Sequence, residues 1–409
     1  MSMPTSGIIS LKADYHAAGD AVTDDTQKVR AFFNYLATNG GTGIIEPGTY
    51  LTSSYTRNGD ARPFTVIGGG PNVSILKNKS AGNFLTWIEC NNIHIKGLKL
   101  DCNYTIFPPA SGQFKHGFKF SSCQNCSVEN SSVYDFVGTG FMAMQQPGST
   151  RQSINITFKN CVAQATKALT DWIAAETVED KRKKECNGMM LDNCIEGMIA
   201  DCTAMDISLF GIELKNAAKW NKVLHNKAKN CVYGFGMGQQ TTGDIGCEHN
   251  IVEGFQANKC YIGGLLGKAK YNLISDFKVD FTGMATNNVR NAFRFQLNSR
   301  FNSLDNILIS GMPADKAAIM YESGANNNVS TISFCEKNTT NNNIIIALYS
   351  HTPSTPATST TPEIVYTDTV NNYTLLYLSD ALRSKLKVSG TAVSNNKSRY
   401  LWDNSNIVA

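Results

Sequence analysis

Through the middle of this chain a glycine keeps opening a short alternating strand: "GFKF" at 117, "GFMAM" at 140, "GMML" at 188, "GIEL" at 211 and "GFGM" at 234. The steps from 117 to 140, from 188 to 211 and from 211 to 234 are each 23 residues. The step from 140 to 188 is about two such lengths, or one length carrying an insertion. Weaker copies follow as "GGLL" at 263, "AFRF" at 292 and "AIMY" at 318. A unit this short, made of strands alone, buries its apolar side only by stacking on its neighbours. The repeat therefore predicts a β-solenoid. Leucine-rich repeats share the period, but their Leu/Asn signature is absent.

Strand alternation then assigns faces. One and three residues after each glycine stand Phe118/Phe120, Phe141/Ala143, Met189/Leu191, Ile212/Leu214 and Phe235/Met237, apolar and expected inside. Two and four residues after stand Lys119/Ser121, Met142/Met144, Met190/Asp192, Glu213/Lys215 and Gly236/Gly238, expected outside, with Arg294/Gln296 and Met320/Glu322 in the later copies. Cys123 and Cys194, each six residues after its glycine, are expected in one ladder.

At 409 residues the chain can bury a large core, and 17% charged residues with a formal charge of +4 give no footprint for nucleic acid. No run approaches a membrane span, and "MSMPTSGIIS" lacks the pattern of a secretory signal, so the expectation is a soluble protein made in a cytoplasm. The 12 cysteines are spread through a long unsignalled chain, and the lone CxxC of Cys123 and Cys126 is best taken as small apolar filling. No metal or other cofactor is implied.

Ahead of the coils, Asp24 with Gln27 resembles a capping box, and Val29, Phe32, Phe33 and Leu36 form the stripe of a helix with one buried face. "NGG" at 39–41 stops it, and Pro47-Gly48 leads into a strand ending near Leu51. The expected organisation is a cap over 1–60, coils over 61–350 with a charged helix inserted near 169–185, a linker at 351–362, and a small β-rich unit at 363–409.

The stretch "LKADYHAAGDAVTDDTQKVRAFFNYLATNGGTGIIEPGTYL" (11–51) resembles the N-terminal motif of the pectate-lyase-like right-handed β-helix proteins: extended strand, "GD…TDDT" turn, capping helix, glycine turn, "PGTY" strand. The family's usual "FGAKGDG" here reads "YHAAGDA". The resemblance implies an all-β chain, a right-handed parallel β-helix with an N-terminal capping helix and a small C-terminal β-rich unit. Within that superfamily the chain looks most like a bacteriophage tailspike. That likeness implies a homotrimer in the virion tail, held by other tail proteins, that binds and often cleaves bacterial surface polysaccharide. The motif concerns the cap and transfers no catalytic residue.

Glycan cleavage by hydrolysis calls for two carboxyl groups along a groove with aromatic platforms. Asp192 and Glu213 are outward candidates on successive glycine-registered strands; the competing reading is a pair of solvated surface acids. Asp135 and Asp206, each five residues before the next glycine, form a second pair, which turn capping would equally explain. Asp171, Glu176 and Glu179 on the inserted segment, and Glu248 beside His249, complete the acids. Lys215, Trp172, Trp220, Tyr271, Gln239, Gln240 and Arg294 are the candidates for holding substrate. Hydrolase, uronate lyase and non-catalytic binder all remain open at this point.

Overall fold

The computed structural model describes residues 7–80, 82–104, 106, 116–165, 186–238, 246–285, 288–296, 299–312, 317–321 and 328–334, together with strands between 345 and 401. Two compact units emerge, Met1–Leu209 and Phe210–Ala409.

In the first unit the predicted cap is helix α1, Thr26–Asn39, which buries Val29, Phe32, Phe33 and Leu36 and ends at Gly40 in a left-handed turn (φ 76°). The capping box does not form. Asp24 instead accepts from the backbone and hydroxyl of Thr26, at 3.0 and 2.6 Å. The N-cap is Asp25, and its buried carboxylate turns back to accept the amides of Ala18 and Gly19, both at 2.9 Å. Two adjacent aspartates thus share the work that one capping residue and Gln27 were expected to do, because the incoming strand offers its own unpaired amides. Phe33 packs on Tyr55 (5.1 Å) and Trp87 (6.2 Å), closing the end of the aromatic interior.

Each coil below contributes parallel strands in register. Gln124–Glu129, Ser132–Tyr134 and Thr139–Met144 lie over Ser153–Lys159, Val162–Gln164 and Asn187–Asp192, pairing Val128 with Phe158, Val133 with Ala163 and Phe141 with Met189. The residues assigned inward from the glycine register are buried: Phe118 stacks on Phe141 at 5.4 Å and Trp87 on Phe120 at 5.3 Å. Strands turn into one another through left-handed residues that recur once per coil, such as Asn130, Asn160 and Asp201 (φ 45°, 51° and 55°). Short polar side chains tolerate that conformation. Cys123 and Cys194 do share a ladder, with Ser153 between them. The eleven described cysteines are all buried thiols, as fillers should be.

The second unit repeats the plan. Phe210–Lys215, Tyr233–Met237, Ile262–Gly267, Asn291–Gln296 and Ala317–Tyr321 stack in parallel, aligning Ile212, Phe235, Gly264, Phe293 and Ile319. Toward the C-terminus the same ladders continue: Tyr373–Tyr377 pairs with Val329–Phe334, and Glu363–Tyr366 with Ile345–Leu348. The segments expected as an inserted helix near 169–185 and as a linker at 351–362 lie outside the described residues.

One corner of the second unit carries a buried asparagine ladder of Asn221, Asn250, Asn272, Asn302 and Asn328. Asn250 and Asn272 each donate their backbone amide and Nδ2 to the Oδ1 of the next asparagine, at 2.9 and 3.0 Å for Asn250 and 3.2 and 2.9 Å for Asn272. Removing one rung strands donors above it and acceptors below. Asn272→Ala is expected to cost about 2–4 kcal/mol, read as a lowered unfolding midpoint. Lys270→Ala, which breaks only a partly exposed ion pair, should cost about 0.5 kcal/mol or less in the same measurement.

Candidate functional site

The outward column of the second unit's glycine-registered strands runs through Glu213, Gly236, Leu265, Arg294 and Met320. The reading of Glu213 as a solvated surface acid is overturned. Glu213 is 4% exposed, Arg294 5% and Gln296 8%, and Asn291 on the same face is buried too. Alternation correctly gives the side of the sheet on which these residues stand, but this outer face is shielded from water. Gly236 has a steric reason in the column: a Cβ there would come within 2.3 Å of the Phe210 ring, which stacks on Tyr233 at 4.5 Å. A buried acid, a buried guanidinium and two buried amides on one sheet face form a polar surface made for specific hydrogen bonding rather than for solubility.

Beside the asparagine ladder runs a second, exposed one. Trp220, His249, Tyr271 and Phe301 occupy the residue before each asparagine, all left-handed with φ between 56° and 59°. His249 stacks on Tyr271 at 5.3 Å and 9°, and Tyr271 on Phe301 at 5.1 Å and 4°. The residues one further back, Lys219, Glu248, Lys270 and Arg300, are bridged in a row, with Glu248 3.2 Å from Lys219 and 3.9 Å from Lys270. Large aromatic residues seldom adopt this backbone, so four in a column point to surroundings that impose it and to a purpose for the exposed rings. The triplet charge–aromatic–Asn ("KWN", "EHN", "KYN", "RFN") was there to be read in the sequence. Trp220, Tyr271 and the Glu248-His249 pair were picked out singly, whereas Phe301 was missed.

The remaining candidates are scattered. Asp192 closes the strand Asn187–Asp192 in the first unit and is half-buried, and Lys215 closes Phe210–Lys215 in the second, also half-buried. Asp135 and Asp206 do share a register, and both have left-handed backbone (φ 51° and 60°), with Asp206 accepting from Gln164 Nε2 at 3.2 Å. Each sits directly after a strand, Ser132–Tyr134 and Thr203–Met205, at a corner. Trp172, Gln239, Gln240, Asp171, Glu176 and Glu179 lie outside the described residues. Among the described residues no three His, Cys, Asp or Glu side chains converge to hold a metal.

No family model matches the chain. A tail spike protein of Escherichia virus K5 is 23% identical over 299 residues, 73% of this chain and 42% of that protein. The chain resembles phage tailspikes. It spans less than half the length of the tail spike it matches in sequence. A tailspike protein of Escherichia coli bacteriophage HK620 superposes with a TM-score of 0.65 at 14% identity, over 96% of this chain and 81% of that one. The A-module of Azotobacter vinelandii mannuronan C-5 epimerase AlgE6 superposes with a TM-score of 0.60 at 14% identity, over 97% of this chain and 100% of that one. At these identities the two structures establish the fold, the right-handed parallel β-helix.

At the edge of the first unit's glycine-registered face, the Nδ1 of buried His116 accepts the backbone amide of Thr139 at 2.9 Å. Burial, and then the charge of Lys119, push His116 down to about 3 from 6.5. Between those values the unfolded tailspike-like chain takes up a proton that the folded one refuses, so stability falls as pH drops from about 6.5 toward about 3. His116→Gln, whose amide oxygen can accept the same bond, should flatten that slope, by on the order of a few kcal/mol over the window. Denaturation midpoints at pH 7 and pH 5 test this; equal losses in both proteins would remove His116 as the cause.

Proposed function

We propose that this chain is the β-helix part of a virion tailspike that binds bacterial surface polysaccharide, capsule or O-antigen, and cleaves it as an endo-acting glycoside hydrolase. The observation that carries the reading is Glu213, held at 4% exposure on an outward strand position in line with Arg294. An acid and a cation kept from water on the outside of a solenoid suit a substrate that must be desolvated as it binds. The sequence likeness to a tail spike supports the substrate class and the location in the virion tail.

Glu213 in the second unit and Asp192 in the first are each offered, on sequence register, as a carboxyl group for cleavage. In hydrolysis one carboxylic acid protonates the departing glycosidic oxygen, while the other carboxylate activates water or attacks the anomeric carbon. Arg294 and Lys215 supply charge and hydrogen bonds to the sugar. Trp220, exposed at the head of the aromatic row, offers a platform; the inner rings present mainly their edges, because their faces stack on one another. A homotrimer held by other tail proteins belongs to the same reading and rests on the resemblance.

Glu213→Gln and Asp192→Asn should each lower the release of new reducing ends by about 10²-fold or more while glycan binding persists. Trp220→Ala should weaken binding about tenfold or less with turnover of bound glycan unchanged. The assay is incubation with surface polysaccharides from a strain panel, with products read by mass spectrometry. Full activity in both carboxyl variants would sink the site. Unsaturated, ultraviolet-absorbing ends would make the protein a lyase, and a stable complex with no new ends would make it a binder.

A further inference from the structure

The first unit's glycine-registered face holds a second column, Thr86, Lys119, Met142 and Met190, paired rung to rung, with Ser121 two residues beyond Lys119 on the same face. Lys119 breaks the pattern. Its two neighbours on one side are buried methionines, and a methionine in its place would fill the same volume without desolvating a charge. Lys119 is half-buried and makes no hydrogen bond or ion pair among the described residues. Its ammonium is pushed down in pKa by burial alone, so the charged end, as well as the aliphatic stem, is desolvated.

The two polar residues nearest to it in the strand lattice are in the same condition. Thr86 is 4% exposed and Ser121 0%, and neither Thr86 Oγ1 nor Ser121 Oγ has a hydrogen-bond partner among the described residues. Buried hydroxyls are ordinarily satisfied, and two unsatisfied ones beside an uncompensated cation are not what packing alone selects. Strand geometry places the Thr86 Cα about 4.8 Å from that of Lys119, and Ser121 about 6.8 Å along the strand from it. One ammonium and two hydroxyl donors at that spacing match the two oxygens of a carboxylate, which accepts several hydrogen bonds at once. Lys119 as a whole keeps partial exposure and is the way in; the hydroxyls are shut off from water.

We propose that Lys119, Thr86 and Ser121 form a subsite for the carboxylate of an acidic sugar, so that the polysaccharide recognised carries uronate or a comparable acid. This rests on the reading of the chain as a glycan-binding tailspike and adds a charge class to it. No bond is made or broken at the subsite; it holds and orients.

The test reads Lys119 directly. The full chain, reductively ¹³C-methylated on its lysines so that their charge is kept, is titrated in NMR with sodium D-glucuronate, with inorganic phosphate and with neutral D-glucose. The Lys119 signal is identified as the one missing from Lys119→Met, which matches the methionines of its own column and should fold. A saturable shift of that signal with glucuronate and none with glucose supports the subsite. The proposal further expects Thr86→Val and Ser121→Ala to weaken that response severalfold and Lys119→Arg to retain glucuronate binding. A response to phosphate alone would replace the carboxylate by a phosphate ester. No response to either anion, or unchanged glucuronate binding by Lys119→Met, would overturn the proposal. The readout needs neither cleavage nor an intact polysaccharide, so it fails or succeeds independently of the Glu213 assay.

Discussion

In-register parallel stacking governs this molecule. Each residue of a coil lies about 4.8 Å from its counterpart in the next, so every side chain must live beside its own positional copies. That rule admits groups that gain from repetition. Asparagine amides donate and accept along one line, as in the row Asn221 to Asn328. Flat rings stack, as Phe118 does on Phe141 and Tyr271 on Phe301. Charges can be stacked if their sign changes, and Lys219, Glu248 and Lys270 do so. The rule also leaves an unpaired edge at each end of a stack, which helix α1 meets at the N-terminal coil by laying Phe32, Phe33 and Leu36 over the first strands.

The same rule explains what the sequence discloses. A glycine opening each inner strand is a local, recurring mark, so Gly117, Gly140, Gly211 and Gly234 register the coils, and the residues they place inward are buried. The cap was legible because its stripe and stop signals sit within one short segment. Alternation could not disclose shielding: it assigned Glu213 and Arg294 to the outside, and only the folded face tells that the outside is buried there. The aromatic row was overlooked because corners, unlike strands, absorb differences in coil length, and a fixed period skips over them. Asp135 and Asp206 share the register that their spacing implies, and both adopt the left-handed corner backbone that aspartate tolerates.

Positions that defy the stacking rule are therefore the informative ones. On the methionine side of its column, Lys119 gains nothing from its neighbours' chemistry. A solenoid selected for stability alone would place an apolar residue there, since each coil would then repeat its neighbour and no charge would be desolvated. The asparagine, aromatic and ion-pair rows account for how the stack holds. The ammonium of half-buried Lys119 has no such account within the stack. Its desolvation is balanced when something outside the chain supplies a partner, and an acidic polar ligand laid along the first unit's strands is the kind of object that reaches such a position.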